Sequence, residues 1–168
     1  DGVGLAIRTP LGLVIHTGDF KIDQTPVDGE NTDLARLAEY GEEGVLLLMA
    51  DSTNVENEGY TLSEKSVKKA LDEIIPQCQQ RVIVATFSSN IHRIQQIADS
   101  AAAAGRKLLL NGRSMVSNIA IARQLGYLNI AEEQFIDLRD IRHLPPEQVL
   151  IITTGSQGEP LSALMRIA

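Results

Sequence analysis

The chain of 168 residues has one cysteine, Cys78, no tryptophan, three tyrosines and three phenylalanines. A single cysteine excludes an intrachain disulfide framework and leaves no thiolate cluster for a zinc site. No apolar run approaches the ~18 residues that a membrane-spanning helix needs; the longest, residues 45–50, is strand-sized. A basic n-region leading into an apolar h-region, the mark of a signal peptide, is also lacking. Together these absences favour the cytosol. Positive charge is short as well: 15 Lys and Arg stand against 22 Asp and Glu, a net charge of −7. A protein that grips nucleic acid through a broad basic face usually has the opposite sign, although a small local phosphate pocket is compatible with this one. Apolar residues make up 43% and charged residues 22%, with a mean hydropathy of −0.02. That profile excludes disorder, collagen and coiled coil and fits one ordinary domain or parts of two. A chain of this size can bury roughly 70% of its extended surface. It opens on Asp1-Gly2-Val3-Gly4 without Met and closes on Leu161-Ser162-Ala163-Leu164-Met165-Arg166-Ile167-Ala168, which reads as an interrupted helix. An internal stretch of a longer protein is expected.

Residues 3–9 and 13–17 flank Pro10-Leu11-Gly12, a hairpin signal. A polar loop over 18–31 follows, then a short helix at 33–40 with Thr32 as its cap and Gly41 as its stop. The continuously apolar 45–50 predicts a strand covered on both faces. From residue 61 helix and strand alternate. Thr61-Leu62-Ser63-Glu64 reads as a capping box, and Val67, Ala70, Leu71, Ile74 and Ile75 form a helical stripe that Pro76 ends. Residues 81–87 predict a buried strand. Ile91, Ile94, Ile97, Ala98, Ala101 and Ala102 mark the next helix, ended by Gly105. Lys107–Asn111 is again a strand and 114–125 a helix, with Gly126 just beyond. A short 135–138 segment and Pro145-Pro146 precede a last strand at 149–154. Repeated β–α–β units with short loops predict an α/β fold, with a parallel sheet and helices on both faces.

In such sheets, ligands bind beyond the carboxyl ends of the strands, where helix N-termini present free N–H groups. The five candidate ends carry Gly18-Asp19-Phe20, Asp51-Ser52-Thr53-Asn54, Ser88-Ser89-Asn90-Ile91-His92-Arg93, Gly112-Arg113-Ser114 and Gly155-Ser156-Gln157-Gly158-Glu159-Pro160. Small hydroxyl, amide and glycine residues recur there, and each segment is expected to open a helix and suit phosphate oxygens. Taken singly, each has a plainer reading. Ser, Asn and Asp at strand-to-helix junctions most often serve as N-caps, glycines there serve the backbone, Asp51 could cap the segment after it, and His92 and His143 read as surface or capping histidines. The coincidence of all five is the stronger signal. Asp19 is well placed to ligate a metal, and His16 lies three residues before it, but no further His, Asp or Glu completes a ligand pattern. A self-contained metal site is not expected, and the residues alone lead to a phosphate- or nucleotide-binding α/β domain.

These segments resemble the ribonuclease J family, in the β-CASP branch of the metallo-β-lactamase superfamily. The matching stretches are Ile7-Arg8-Thr9-Pro10-Leu11-Gly12, His16-Thr17-Gly18-Asp19-Phe20-Lys21, Asp51-Ser52-Thr53-Asn54, Ala85-Thr86-Phe87-Ser88-Ser89-Asn90-Ile91-His92-Arg93-Ile94-Gln95, Gly112-Arg113-Ser114-Met115 and Thr153-Thr154-Gly155-Ser156-Gln157-Gly158-Glu159-Pro160. They run through essentially the whole chain in family order. The resemblance implies that residues 1–60 are the C-terminal part of a metallo-β-lactamase αββα domain and that 61–168 are most of a β-CASP domain. It implies a cytoplasmic hydrolase of RNA, acting as a 5′-to-3′ exonuclease and an endonuclease, preferring a 5′-monophosphate and forming homo-oligomers at full length. Its cofactors would be two zinc-type divalent ions, zinc or manganese, activating a water for attack on phosphorus. Asp19 matches the carboxylate that bridges the two ions, and Asp51 the acidic group that orients a metal-ligating histidine. Ser88, Ser89 and Asn90 match a segment that binds RNA; His92, Arg113, Ser114, Ser156 and Gln157 are candidate RNA contacts by position.

The family's His-x-His-x-Asp-His metal motif is expected upstream of Asp1, and its His-x-Ser-Gly-His segment downstream of Ala168. Of the metal ligands only Asp19 lies in this stretch, so the 168-residue polypeptide by itself is expected to bind metal weakly and to lack nuclease activity. The alternative is a non-catalytic α/β module that binds RNA 5′ ends or nucleotides.

Overall fold

A computed structural model describes residues 3–27, 29–53, 55–158 and 162–166. Of the residues singled out above, Asp1, Gly2, Asn54, Glu159, Pro160, Leu161, Ile167 and Ala168 lie outside the described ones. The chain divides into two units, 1–64 and 65–168, and each builds its own three-stranded sheet.

In the first unit, β1 (Leu5–Thr9) and β2 (Gly12–His16) form an antiparallel hairpin running from Leu5↔His16 to Thr9↔Gly12. Pro10 fixes its own φ, and Thr9 Oγ1 closes the turn by accepting from the N–H groups of Leu11 and Gly12, both at 3.2 Å. β2 then pairs in parallel with β3 (Val45–Met49), from Leu13↔Val45 to His16↔Met49. The connection carries α1 (Leu34–Glu43). Its cap is Asp33, not Thr32: the Asp33 carboxylate accepts the Arg36 N–H at 2.9 Å. The helix also runs through Gly41 and stops at Gly44, whose φ of 99° ends the helical repeat. A helix interior tolerates glycine at about 1 kcal/mol, whereas a left-handed φ terminates it.

The expectation that 45–50 is covered on both faces does not hold. Leu46, Leu47, Leu48 and Met49 are 59%, 51%, 59% and 48% exposed, and among the described residues of this unit the buried apolar ones are Leu13 and Ile15. No side chain of α1 is buried, and the loop over 18–31 is too polar to cover a sheet. An apolar run records what a strand requires, not which segment supplies it.

α2 (Glu64–Ile74) begins three residues after Thr61, so the capping box does not form as read. The Glu64 N–H is instead taken by the Asp23 carboxylate at 3.1 Å, and the Ser63 hydroxyl donates to the Thr25 carbonyl at 3.1 Å. Pro76 sits in the 3-10 turn Ile75–Gln77 that ends the helix. Of the expected stripe, Ile75 is buried and Leu71 partly so, while Ile74 is exposed.

The second unit continues with β4 (Val82–Ala85), α3 (Ile91–Ala103), β5 (Lys107–Asn111), α4 (Arg113–Gln124) and β6 (Val149–Thr153). The sheet is parallel throughout, in the order β4-β6-β5, with Ala85↔Thr153 and Asn111↔Thr153 as the last register pairs. β6 is central and buried along its length. β4 is an edge strand, so Ile83 is exposed rather than buried as expected.

Alternation along the strands sends Leu108, Leu150 and Ile152 to one face, against Ile94, Ile97, Ala98 and Ala101 of α3 and Met115, Ile119 and Ala122 of α4. Each fully buried Leu or Ile contributes about 1.5–3 kcal/mol, and truncating Ile152 to Ala would cost about 2–5 kcal/mol. Leu109, Val149 and Ile151 point the other way and are covered by Ile136, Ile141 and Leu144. Helices on both faces were expected; α3 and α4 share one face, and an irregular segment with short 3-10 turns covers the other. The 135–138 segment joins β5 by backbone at the bridge Leu108↔Phe135 and through the Ile136 N–H donated to the Leu108 carbonyl at 2.9 Å.

A buried arginine fastens the opposite end of the sheet. Arg106 is 3% exposed, and its guanidinium donates to the carbonyls of Gln80 at 3.0 Å, Ile75 at 3.2 Å, Val149 at 3.3 Å and Cys78. The fork of N–H groups thus ties the end of α2 to the start of β6.

Candidate functional site

In the first unit, the parallel pairing of β2 and β3 brings Asp19 and Asp51 to neighbouring strand ends. The Thr17 N–H donates to the Met49 carbonyl at 3.0 Å, carrying the ladder one step past β2. The Asp51 N–H then donates to Thr17 Oγ1 at 3.1 Å, and Thr17 Oγ1 donates to the Gly18 carbonyl at 2.7 Å. Gly18 has φ of 62°, and a Cβ there would lie 2.7 Å from the Val3 carbonyl oxygen. Glycine is required for this close approach, and it sets the direction in which the chain presents Asp19. Asp19 itself is exposed.

Asp51 accepts from the Thr53 hydroxyl at 2.6 Å and the Thr53 N–H at 2.9 Å. These two bonds, with smaller contributions from the Phe20 and Ser52 backbone, outweigh partial burial and hold its carboxyl below the usual carboxylate range. Asp51 therefore does cap the segment after it, and it also faces the backbone next to Asp19. Among the described residues no helix begins directly at either strand end; polar segments lead from β2 to α1 and from β3 to α2.

The donor set bears on the metal. Among the described residues no group of three or more His, Cys, Asp and Glu side chains converges. His16 ends β2, but its Nδ1 already accepts the Gly18 N–H at 3.0 Å. Zinc sites use three or four protein ligands, so these residues do not hold a metal pair by themselves.

In the second unit, the order β4-β6-β5 sets the 155–158 loop between the 88–90 and 112–114 segments, at one edge of the sheet. Thr153, fully buried, stitches the edge: its carbonyl accepts the Thr86 N–H at 3.0 Å, and its hydroxyl accepts Asn111 Nδ2 at 3.0 Å. Asn90 caps α3, its side chain accepting the Arg93 N–H at 3.1 Å. The N–H groups of Asn90 and Ile91 are taken by the carbonyls of Phe87 and Ser89, so the backbone offers an anion less than expected and the side chains carry the capacity. Ser88 is half-buried and Ser89 exposed; His92 is half-buried in the first turn of α3. Arg113 and Ser114 are exposed at the start of α4, whose cap position is Gly112 with no side-chain cap. Ser156 and Gln157 are exposed in a turn closed by the Gly158 N–H on the Gly155 carbonyl at 3.1 Å. His143 is exposed.

Sequence reading missed four residues that hold these segments. Thr17 and Thr53 lie inside quoted motifs without having been singled out. Asn111 binds Thr153 and the Ala163 carbonyl, the latter at 3.2 Å. Asn118 reaches Ser88 from α4. The one advance signal for Asn118 is a poor helix former in mid-helix.

The family model for "Ribonuclease J, beta-CASP domain" matches residues 79–168. The chain belongs to the ribonuclease J family. Ribonuclease J of Synechocystis sp. is 52% identical over all 168 residues, which correspond to 26% of that protein. Ribonuclease J of Helicobacter pylori is 51% identical over the whole chain, 24% of its length, and that of Thermus thermophilus 50%, 29% of its length. The chain thus spans about a quarter of the ribonuclease J proteins it matches. No helix among the described residues is long and apolar enough to cross a membrane.

Proposed function

We propose that this chain is part of a cytoplasmic, metal-dependent ribonuclease of the ribonuclease J type, which hydrolyses RNA and prefers a 5′-monophosphate end. The observation that carries the reading is the position of Asp19 and Asp51 after neighbouring strand ends, where Thr17 joins the Asp51 N–H to the Gly18 carbonyl, in a chain of that family. Residues 1–60 are assigned to a metallo-β-lactamase domain and 61–168 to the β-CASP domain. The bare apolar face of β3 is in keeping with a domain whose other layers come from elsewhere in the full-length protein. Asp19 contributes one carboxylate to a pair of zinc-type ions whose other ligands lie outside this chain, and Asp51 orients one of those ligands. Ser88, Ser89 and Asn90 take a phosphate of the RNA end through side-chain donors. Arg113 and Ser114, and the Ser156–Gln157 turn, line the path of the strand; His92 flanks it.

Among the described residues no ligand set for this chemistry converges, so the purified 168 residues should show no chelator-sensitive RNA cleavage. Robust cleavage by them would overturn the assignment of the missing ligands to other segments. In the full-length protein, Asp19→Ala should abolish cleavage while circular dichroism reports an unchanged fold. Retained activity in that variant would remove Asp19 from the metal site.

A further inference from the structure

Ser88 is held by a residue from a different helix. Asn118 lies in α4 beside the buried Met115 and Ile119, and its Nδ2 donates both to the Ser88 carbonyl and to Ser88 Oγ, each at 3.1 Å. An amide nitrogen has two protons, so one anchors the Ser88 backbone and the other its side chain. Backbone position and hydroxyl rotamer are fixed together. The polarity of the second bond also matters: a hydroxyl oxygen that accepts from an amide directs its own proton elsewhere. Ser88 is thereby set as a donor, the role an anionic ligand requires. Asn90 is placed differently, since its side-chain oxygen is occupied in capping α3.

We propose that Asn118 is a positioning residue for RNA binding, presenting the Ser88 hydroxyl proton to a phosphate oxygen at the RNA 5′ end. This inference rests on the reading of Ser88 as a phosphate contact. Asn118 touches no substrate; it acts through Ser88 alone, and that makes it separable from a residue that merely stabilises α4.

The test uses the full-length protein with RNA oligomers of one sequence carrying either a 5′-monophosphate or a 5′-hydroxyl. Asn118→Ala should raise KM for the monophosphorylated RNA about fivefold, the worth of one ordinary hydrogen bond, with a smaller change in kcat and little change for the hydroxyl substrate. Ser88→Ala should do the same, and the double variant should be no worse than Ser88→Ala. If Asn118→Ala fails to fold, Asn118→Leu, which keeps the bulk, cannot donate and adds no charge, takes its place with the same expected loss. Additive effects of the two substitutions, or equal losses on both substrates, would overturn the role of Asn118. A loss in Ser88→Ala without one in Asn118→Ala would overturn it too, leaving Ser88 as a phosphate contact. No effect of Ser88→Ala would remove both readings.

Discussion

Thr17 and Asp51 are joined across two parallel strands: the Asp51 N–H donates to Thr17 Oγ1 at 3.1 Å, and the same oxygen donates to the Gly18 carbonyl at 2.7 Å. One hydroxyl therefore links the backbone of one candidate acidic residue to the peptide that precedes the other.

Replacing that hydroxyl with a methyl group tests the link. Thr17→Val should destabilise the first unit by about 1 kcal/mol, because a partly buried N–H loses its acceptor. Thr17→Ser should retain most of the stability. Amide hydrogen exchange at Asp51 reads the difference directly: faster in the valine variant, near wild type in the serine variant.

Asp51 should titrate below the ordinary carboxylate range, because the Thr53 hydroxyl and N–H stabilise its charged form. A depressed folded pKa gives stability that is full above the unfolded pKa and fades as the pH falls through the folded one. Thr53→Ala should raise the Asp51 midpoint, measured by carboxyl carbon NMR, and narrow the acid-dependent loss. An unchanged midpoint would mean that the Thr53 hydroxyl is not the principal donor. Asp23, Glu43, Asp72 and Asp137 are shifted in the same direction, so acid acts against the fold at several points.

Arg106 should be among the most sensitive positions of the second unit. Arg106→Met leaves the carbonyls of Gln80, Ile75, Val149 and Cys78 without their donor, and about 3 kcal/mol of stability should go with it. Arg106→Lys restores charge but not the planar fork and should recover less than half. Urea midpoints of the three proteins give the comparison.

Gly155 has φ of 109°, and a Cβ there would lie 2.5 Å from Ser162 Oγ and 2.8 Å from Ser162 Cβ. Gly155→Ala should cost about 1–3 kcal/mol. Adding Ser162→Gly removes both clashing atoms and should return part of the loss, leaving the backbone strain. A double-mutant cycle without such coupling would show that the loop relaxes freely around residue 155.

Elements whose signals are local could be read from the chain. Asn90 before an isoleucine stripe and Gly105 after it bracket α3, and the apolar run at 149–154 marks a strand. Signals carried by distant partners could not. α2 starts where Asp23 supplies an acceptor, not where Thr61 suggests. The apolar side chains of β3 predict a cover that the described residues of its unit do not provide. At the candidate site, residue types and strand ends were legible, because parallel α/β topology fixes where such ends lie. The residues that fix the groups in place were not: Asn118 and Thr17 act through geometry created only when separate strands and helices come together.

The uneven distribution of buried apolar surface also sets the calorimetry of the isolated chain. Heat-capacity change on melting scales with the apolar area newly hydrated, and among the described residues the buried apolar side chains other than Leu13 and Ile15 all lie in 65–168. The increment should therefore be close to about 1.4 kcal/mol/K, the value for a domain the size of residues 65–168, and not the roughly 2.2 kcal/mol/K that the whole length would give. The wet faces of β1 and β3 are already hydrated before the transition begins.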